Sequence, residues 1–432
     1  MKAALNYRFT NWAKNQSCTA KHFFQPETEE ELVDIVRKHS KIRIVGTGHS
    51  WNDICLTGEA LINLDLYNKV LHLDKEKLQL RVQAGIKLWQ LNKYLDTQGL
   101  ALRNLGSIDQ QSIAGVVSTA THGSGINFQI IGSQLAEFTL IKADGSKQII
   151  NSEKNRDILE MAVVNLGCLG VISEVVLNVV PAYNLKDHTS VENFDAVIDK
   201  LDDFVTETDH FKLWWFAHTN QVVVYRYNRT QEPANDSRFR QWFMDEFLSV
   251  YMYRLLVKIG NINRDWRKKI NRTLIGFISA LNRIEKSHKV FIVPEPPLHR
   301  ETEWAFDLSV AKDLLREYKN TINNSNHRIN FIQEIRFTKG DNFALSPCYQ
   351  RNSIWLGVYN MDDFGWNELL TDFEQIARKY NGRPHWGKEF TVDVPYLKQQ
   401  YPKFSDFNRL RKELDPNGKF ENDYIQKLFG AL

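Results

Sequence analysis

The sequence predicts an α+β protein of two unequal parts, and three observations lead there. Strand and helix signals alternate through the first 180 residues, but without the even βαβ spacing of a doubly wound sheet. Two glycine-rich runs, 43–50 (RIVGTGHS) and 104–125 (NLGSIDQQSIAGVVSTATHGSG), stand about sixty residues apart. Past Pro181 the texture changes to aromatic strands followed by a long helical stretch. At 432 residues the chain exceeds one simple core, so two domains are expected.

The elements follow in order. Residues 26–39 predict a helix: Pro26 opens it, Glu27, Glu29, Glu30 and Glu31 favour its N-terminal dipole, and Leu32, Ile35 and Val36 share one face. Residues 41–45 predict a short buried strand. Residues 69–73 and 78–82 predict a hairpin, followed by an amphipathic helix over 87–94. Residues 138–142 and 148–150 pair around the turn Ala143-Asp144-Gly145-Ser146, and 165–180 returns to strand. No G-x-G-x-x-G run joins a strand to a helix, which disfavours a Rossmann nicotinamide site. Beyond Pro181, strands are expected over 211–217 and 222–227 and helix over 238–283. That helical stretch carries Trp242, Phe243, Phe247, Tyr251, Tyr253, Leu255 and Leu256, broken by Arg and Lys. Packing on the remainder of this second part or on a second subunit is favoured over lying on a membrane surface. Residues 321–400 regain strand character, and the tail folds into a short helix and loop.

Composition narrows the function classes. A hydrophobic share of 43% with 25% charged residues is ordinary for a globular protein. The net charge of +3 is small and its basic residues are dispersed, which argues against nucleic acid as a partner. Cys18, Cys55, Cys168 and Cys348 are scattered without metal spacing, so no metal is expected. The N-terminus lacks a signal-peptide core and no run would span a bilayer, so a cytoplasmic location is expected.

Glycines let backbone approach a pyrophosphate and aim successive N–H groups at it, and Ser107, Ser112, Thr119, Thr121 and Ser124 add hydroxyls between them. In 332–337 (IQEIRF) Glu334 and Arg336 lie two apart and share one strand face. They form an ion pair or present a carboxylate and a guanidinium to a polyol; from composition alone the surface pair is the commoner case. The turn Arg383-Pro384-His385-Trp386-Gly387-Lys388 brings a histidine and a lysine together. Taken alone it reads as a structural turn, as His49 alone reads as a turn histidine.

These motifs change weight together. The two glycine runs, the opening Asn11-Trp12-Ala13, the E-x-R strand, the R-P-H-W-G-K turn and the closing LDPNGKFEN (414–422) resemble the vanillyl-alcohol-oxidase type of FAD-binding flavoprotein. Within it the chain is similar to the sugar-1,4-lactone oxidases (L-gulonolactone and D-arabinonolactone oxidases) and the alditol oxidases. The resemblance runs nearly end to end and is thinnest between about 185 and 320. It implies a two-subdomain FAD-binding domain over 1–180. A substrate (cap) domain on an antiparallel sheet with flanking helices would cover 181–400, and a segment over 401–432 would return to the FAD domain.

The resemblance also implies residue roles. FAD would be joined covalently to His49 through its 8α-methyl carbon. Arg43, Ile44, Val45, Gly46, Thr47, Gly48 and Ser50 would flank it on one wall, and Gly106, Ser107, Ser112, Gly115, Thr119, Ala120, Thr121, His122 and Gly125 on the other. Ile172, His385 and Asn422 complete the cofactor set, with His122 a wall rather than a catalyst. Glu334, Arg336 and Lys388 would be catalytic on the flavin face, and Ser107 and Tyr359 would join them around substrate. Oxidising an alcohol requires loss of the O–H proton and delivery of hydride to flavin N5, and a cationic cluster lowers the cost of developing negative charge. Glu334 would orient Arg336 and accept a substrate hydroxyl; the proton acceptor stays open. Gly106 would leave oxygen a path to flavin C4a, where a related plant lactone dehydrogenase has alanine, or it merely permits a positive φ.

Three functions compete: a lactone oxidase producing hydrogen peroxide, an alditol oxidase, and a flavin-carrying protein without turnover. The intact Glu334, Arg336 and Lys388 set disfavours the last. Alditol oxidases carry a flavin-facing histidine where this chain has Gly357, which favours the lactone, although the Asn11-Trp12-Ala13 opening and the His385-Trp386-Gly387-Lys388 turn look alditol-like. A lactone dehydrogenase using another electron acceptor is the remaining alternative. The animal lactone oxidases are membrane-associated, which keeps peripheral membrane contact as the minority reading.

Overall fold

The computed structural model describes residues 1–235, 253–278, 281–294 and 296–431. Four strands, β1 (Lys2–Thr10), β2 (Ser17–Gln25), β3 (Ile42–Val45) and β4 (Ala60–Asn63), form a sheet in the order β1-β2-β4-β3. β2 and β3 both run parallel to β4. The helix Glu29–Lys38 makes the crossover, capped by Thr28 and buried through Leu32, Ile35 and Val36, the face its periodicity predicts.

Next come β5 (Val70–Asp74), β6 (Gln79–Gln83), β7 (Leu100–Ala101), β8 (Leu135–Ile141), β9 (Lys147–Asn151), β10 (Val171–Asn178) and β11 (Val180–Pro181). Five of them make an antiparallel sheet, β5-β6-β10-β8-β9, while β7 and β11 pair separately. The strand expected from residue 165 begins only at Val171. Leu166, Gly167 and Gly170 hold positive φ, and the Leu166 and Gly167 carbonyls accept from Arg43 at 2.8 and 3.1 Å.

Among the described residues the largest sheet has eight antiparallel strands: β12 (Asn184–Asn193), β13 (His210–Phe216), β14 (Gln221–Thr230), β15 (Leu281–Lys286), β16 (Arg300–Asp307), β17 (Ile332–Thr338), β18 (Ser353–Asn360) and β19 (Arg383–Pro384). Their order is β15-β12-β14-β13-β17-β18-β16-β19. Helices Ala311–Asn324 and Trp366–Lys379 bury Leu314, Tyr318, Leu369 and Phe373. Tyr318 donates to Gln333 at 2.6 Å, so one face of β17 meets these helices and the alternate residues Glu334 and Arg336 face away from them. The α+β class, with an antiparallel sheet flanked by helices, is as expected.

Three further expectations need correction. The helix expected through residue 283 ends at Phe277, and β15 follows; Trp242, Phe243, Phe247 and Tyr251 lie outside the described residues. The helix Trp266–Phe277 rests on the sheet, with Ile275 buried and Asn271 donating to the Ala217 and Ile329 carbonyls at 3.1 Å. The span 321–400, read as strand, also holds the helices Trp366–Lys379 and Val394–Gln400. The tail has two helices, Phe404–Leu414 and Asp423–Phe429. The loop between them lies along β3, where Ile42 N donates to Lys419 O at 2.8 Å and Arg43 donates to Phe420 O. Among the described residues no helix is long and apolar enough to cross a membrane.

Candidate functional site

A cavity of about 570 Å³ separates the two glycine-rich runs from the eight-stranded sheet. It gathers most of the residues expected from the sequence: 43–50, Gly106, Ser107, Ser112, Gly115, Thr119, Thr121, His122, Ile172, Glu334, Arg336, Tyr359, His385 and Lys388. Ala120, Gly125 and Asn422 are not on its wall. Ala120 is fully buried at φ 62°. Gly125 joins the run to the sheet, donating to Phe337 O at 2.7 Å, and a Cβ there would lie 2.3 Å from Asp209 O. Asn422 accepts from Ile425 N at the start of the last helix and donates to the Asp53 and Leu56 carbonyls. Arg43 reaches the wall, but its guanidinium serves four backbone carbonyls, those of Ile54, Leu166, Gly167 and Phe420.

The glycine wall is tight. A Cβ on Gly46 would fall 2.4 Å from Ser112 Oγ, so the two runs meet there and a side chain at 46 would have to displace that hydroxyl. Gly48 turns the chain at φ +72°, which swings His49 inward. His49 Nδ1 lies 2.9 Å from Thr47 Oγ1, and its ring stacks on Trp12 at 5.4 Å. Burial, helped by the Lys388 and Lys87 charges, pulls His49 down to about 4. The ring is therefore neutral at ordinary pH, the form able to bond to carbon. Glycine backbones and the Thr47, Ser50, Ser107, Ser112, Thr119 and Thr121 hydroxyls suit a large, phosphate-bearing cofactor.

The sheet wall is built of charge. Register across β13, β17, β18 and β16 aligns Trp214, Glu334, Gly357 and Glu303 in one row, and the next row aligns Lys212, Arg336 and Trp355. Arg336 donates to Glu334 at 2.6 Å, to Ser107 Oγ at 2.8 Å and to His122 O at 3.2 Å. This one guanidinium ties the sheet to the second glycine run. Glu334 also accepts from Trp214 at 2.8 Å and Tyr359 at 3.3 Å, with Lys212 Nζ at 3.7 Å. Burial alone would raise the Glu334 carboxyl, but Arg336 and Lys212 outweigh it and hold it below the usual range. Lys212, 4% exposed, is pulled down to about 8, chiefly by burial, with Glu334 opposing. A Cβ on Gly357 would fall 2.7 Å from the Tyr359 ring, so that ring fills the space a side chain at 357 would need.

Two further carboxylates were not anticipated. Glu301 Oε2 meets Lys388 Nζ at 2.5 Å and His299 Nε2 at 3.5 Å, and Glu303 Oε1 meets His122 Nε2 at 3.3 Å. Burial opposes both charges, yet Lys388 for Glu301 and His122 for Glu303 lead the groups that hold them low. The signal was present in β16, where RETEWAFD alternates two acids onto one face, the same logic that marked Glu334 and Arg336. Lys212, inside the aromatic strand HFKLWWF, carried no such signal. The Lys388 ammonium also lies 3.9 Å from the Trp51 ring.

Comparison with known proteins agrees in both halves. The profile of the FAD binding domain matches residues 20–150, and that of D-arabinono-1,4-lactone oxidase matches residues 175–428. The chain is 33% identical to the L-gulonolactone oxidase of Mus musculus over 442 aligned positions, covering 98% of each. It is 29% identical over 426 positions to the L-gulono-1,4-lactone dehydrogenase of Mycobacterium tuberculosis, covering 98% of this chain and 99% of the relative. In fold it is similar to the crystal structure of cholesterol oxidase from B. sterolicum, with a TM-score of 0.85, 15% identity and coverage of 99% and 97%.

Proposed function

The chain belongs to the D-arabinono-1,4-lactone oxidase family, and we propose that it oxidises a CH–OH carbon of a five-membered sugar lactone. FAD, when bound, accepts the hydride and passes the electrons to oxygen, giving hydrogen peroxide. The glycine wall suits that cofactor, and His49 is its proposed covalent attachment. Residues 1–180 and 181–400 are proposed as cofactor and substrate domains, with 401–432 returning to the first.

The observation that carries the reading is the Arg336 bridge, which joins Glu334 on the sheet to Ser107 on the glycine run. Arg336 and Lys388 offer positive charge and hydrogen bonds to an oxygen losing its proton. Glu334 holds Arg336 in place and accepts a substrate hydroxyl, while Tyr359 closes the row beside Gly357. The Tyr359 ring in the space above Gly357 supports a lactone over a linear alditol. The name of the mycobacterial relative favours one alternative, a lactone dehydrogenase using another electron acceptor.

Anaerobic bleaching of the flavin by gulono-, galactono- and arabinono-1,4-lactone, beside xylitol and sorbitol, tests the substrate. A specificity constant for either alditol well above those for the lactones reverses the assignment. Acid precipitation tests the linkage: a yellow pellet is expected, and a colourless one with FAD in the supernatant rejects His49 attachment. Reoxidation over minutes in air would replace the oxidase with the dehydrogenase.

A further inference from the structure

We propose that Glu301 is the positioning residue for Lys388, so that the working group on this side of the cavity is their ion pair. This rests on the reading of Lys388 given above. The turn carrying Lys388 is well fixed: its N donates to His385 O at 3.0 Å, Trp51 N donates to Gly387 O at 2.8 Å, and Asn52 Nδ2 donates to the Trp386 and Lys388 carbonyls at 2.8 Å. Backbone restraint does not fix a lysine ammonium, which sits on a flexible four-carbon stem.

What fixes it comes from two other elements. The Trp51 ring lies 3.9 Å from Nζ, and Glu301 Oε2 lies 2.5 Å away. Glu301 is 3% exposed, so this charge is not screened by bulk water. Its second neighbour, His299, lies with Nδ1 2.8 Å from Pro297 O, which makes Nδ1 the donor and turns Nε2 toward the carboxylate. β16 register sets Glu301 opposite Tyr359, whose hydroxyl donates to Glu334. The pair therefore stands on the same sheet face as the Arg336 bridge. Without the carboxylate only the face of the Trp51 ring restrains the ammonium, and a misplacement of about 1 Å costs roughly 100-fold in rate.

A purely structural ion pair would show in thermal stability and leave the chemistry unchanged. The test uses flavin-loaded enzyme with Glu301→Gln, with Lys388→Met and with both. Anaerobic reduction by L-gulono-1,4-lactone gives the limiting rate and the half-saturation separately. Glu301→Gln is expected to lower the limiting rate roughly 100-fold with half-saturation little changed. Added to Lys388→Met, it is expected to do nothing more, because its effect passes through the lysine. A near-parental rate in Glu301→Gln, or two effects that simply multiply, overturns the proposal. Lys388→Met reducing at the parental rate would instead overturn the role given to Lys388, a distinguishable failure. If Glu301→Gln loses its flavin, Glu301→Asp, which keeps the charge and withdraws it by one methylene, carries the same comparison.

Discussion

On the glycine side of the cavity the groups on offer are backbone amides, hydroxyls and the His49 imidazole, and the one arginine there, Arg43, is occupied by four carbonyls. On the sheet side Glu301, Glu303 and Glu334 each face a basic partner: Lys388 from the 383–388 turn, His122 from the second glycine run, and Arg336 from the same strand as Glu334. The first wall works by shape, since a Cβ at Gly46 would strike Ser112. The second works by charge balance in a buried setting, where a carboxylate left alone is costly. Changes to the first wall should therefore alter flavin retention and stability. Changes to the second should alter rate.

The largest expected effect tests that division directly. Arg336→Ala should lower the rate of flavin reduction by L-gulono-1,4-lactone by about 10²–10³-fold, the usual result of removing a preorganised donor, while the flavin spectrum persists. Glu334 would keep Trp214, Tyr359 and Lys212 as neighbours, which limits the damage to folding. On the opposite wall, Ser112→Ala removes the cap on the helix Ile113–Ser118 and should cost about 1 kcal/mol of stability with little change in rate. Stopped-flow reduction and thermal melts read both. Equal rate losses from the two variants would erase the distinction between the walls.

The same division explains what the sequence disclosed. The glycine wall is contiguous, so its spacing in 43–50 and 104–125 is visible in one dimension. Glu334 and Arg336 are visible because both lie on β17 and pair with each other. Their remaining partners are not: Lys212 and Trp214 come from β13, and only strand order joins them, while Glu301 and Glu303 show their alternation on β16 but not which strands lie beside them. Pairing across a sheet depends on register, which no single strand encodes. The misplaced start of β10 has a local cause. Leu166 takes φ 56° in an otherwise apolar stretch, held where Arg43 binds its carbonyl.

The junction between the walls supplies a pH test of intermediate size. His210, on β13, has Nδ1 2.8 Å from the Ser124 carbonyl at the end of the second glycine run and stacks on Phe128. Burial pulls it down to about 4. An unfolded chain takes up that proton near about pH 6.5, so between these values the unfolded state binds more protons. Stability must then fall as pH drops through this window, by up to about 1.4 kcal/mol per pH unit for one such group. Urea unfolding of the parent and of His210→Gln at several pH values checks it. The variant should show a shallower slope; an unchanged slope would mean that His210 does not carry the effect.

The smallest expected change is at Gly106, where wall and chemistry meet. Two explanations of this glycine compete: a left-handed turn that excludes other residues, or clearance for oxygen beside the flavin. Gly106 is outside the left-handed region, so alanine meets no backbone penalty there and conformational need is the weaker explanation. A Cβ would approach His122 O at 3.2 Å and Thr121 Cγ2 at 3.7 Å. The first contact asks for a shift of a few tenths of an ångström, set against the entropy gained in replacing glycine, worth about 0.4–1 kcal/mol. Stability of Gly106→Ala should thus stay within about 1 kcal/mol of the parent. His122 O is also held by Arg336, so the new methyl presses on the sheet only lightly, and reduction by the lactone should change little. If clearance is the reason for glycine, reoxidation of the reduced flavin by oxygen slows while turnover with an artificial dye persists. Parallel stopped-flow of the two half-reactions decides it: slowing in reduction rather than reoxidation would assign Gly106 to the substrate wall and remove it from the oxygen path.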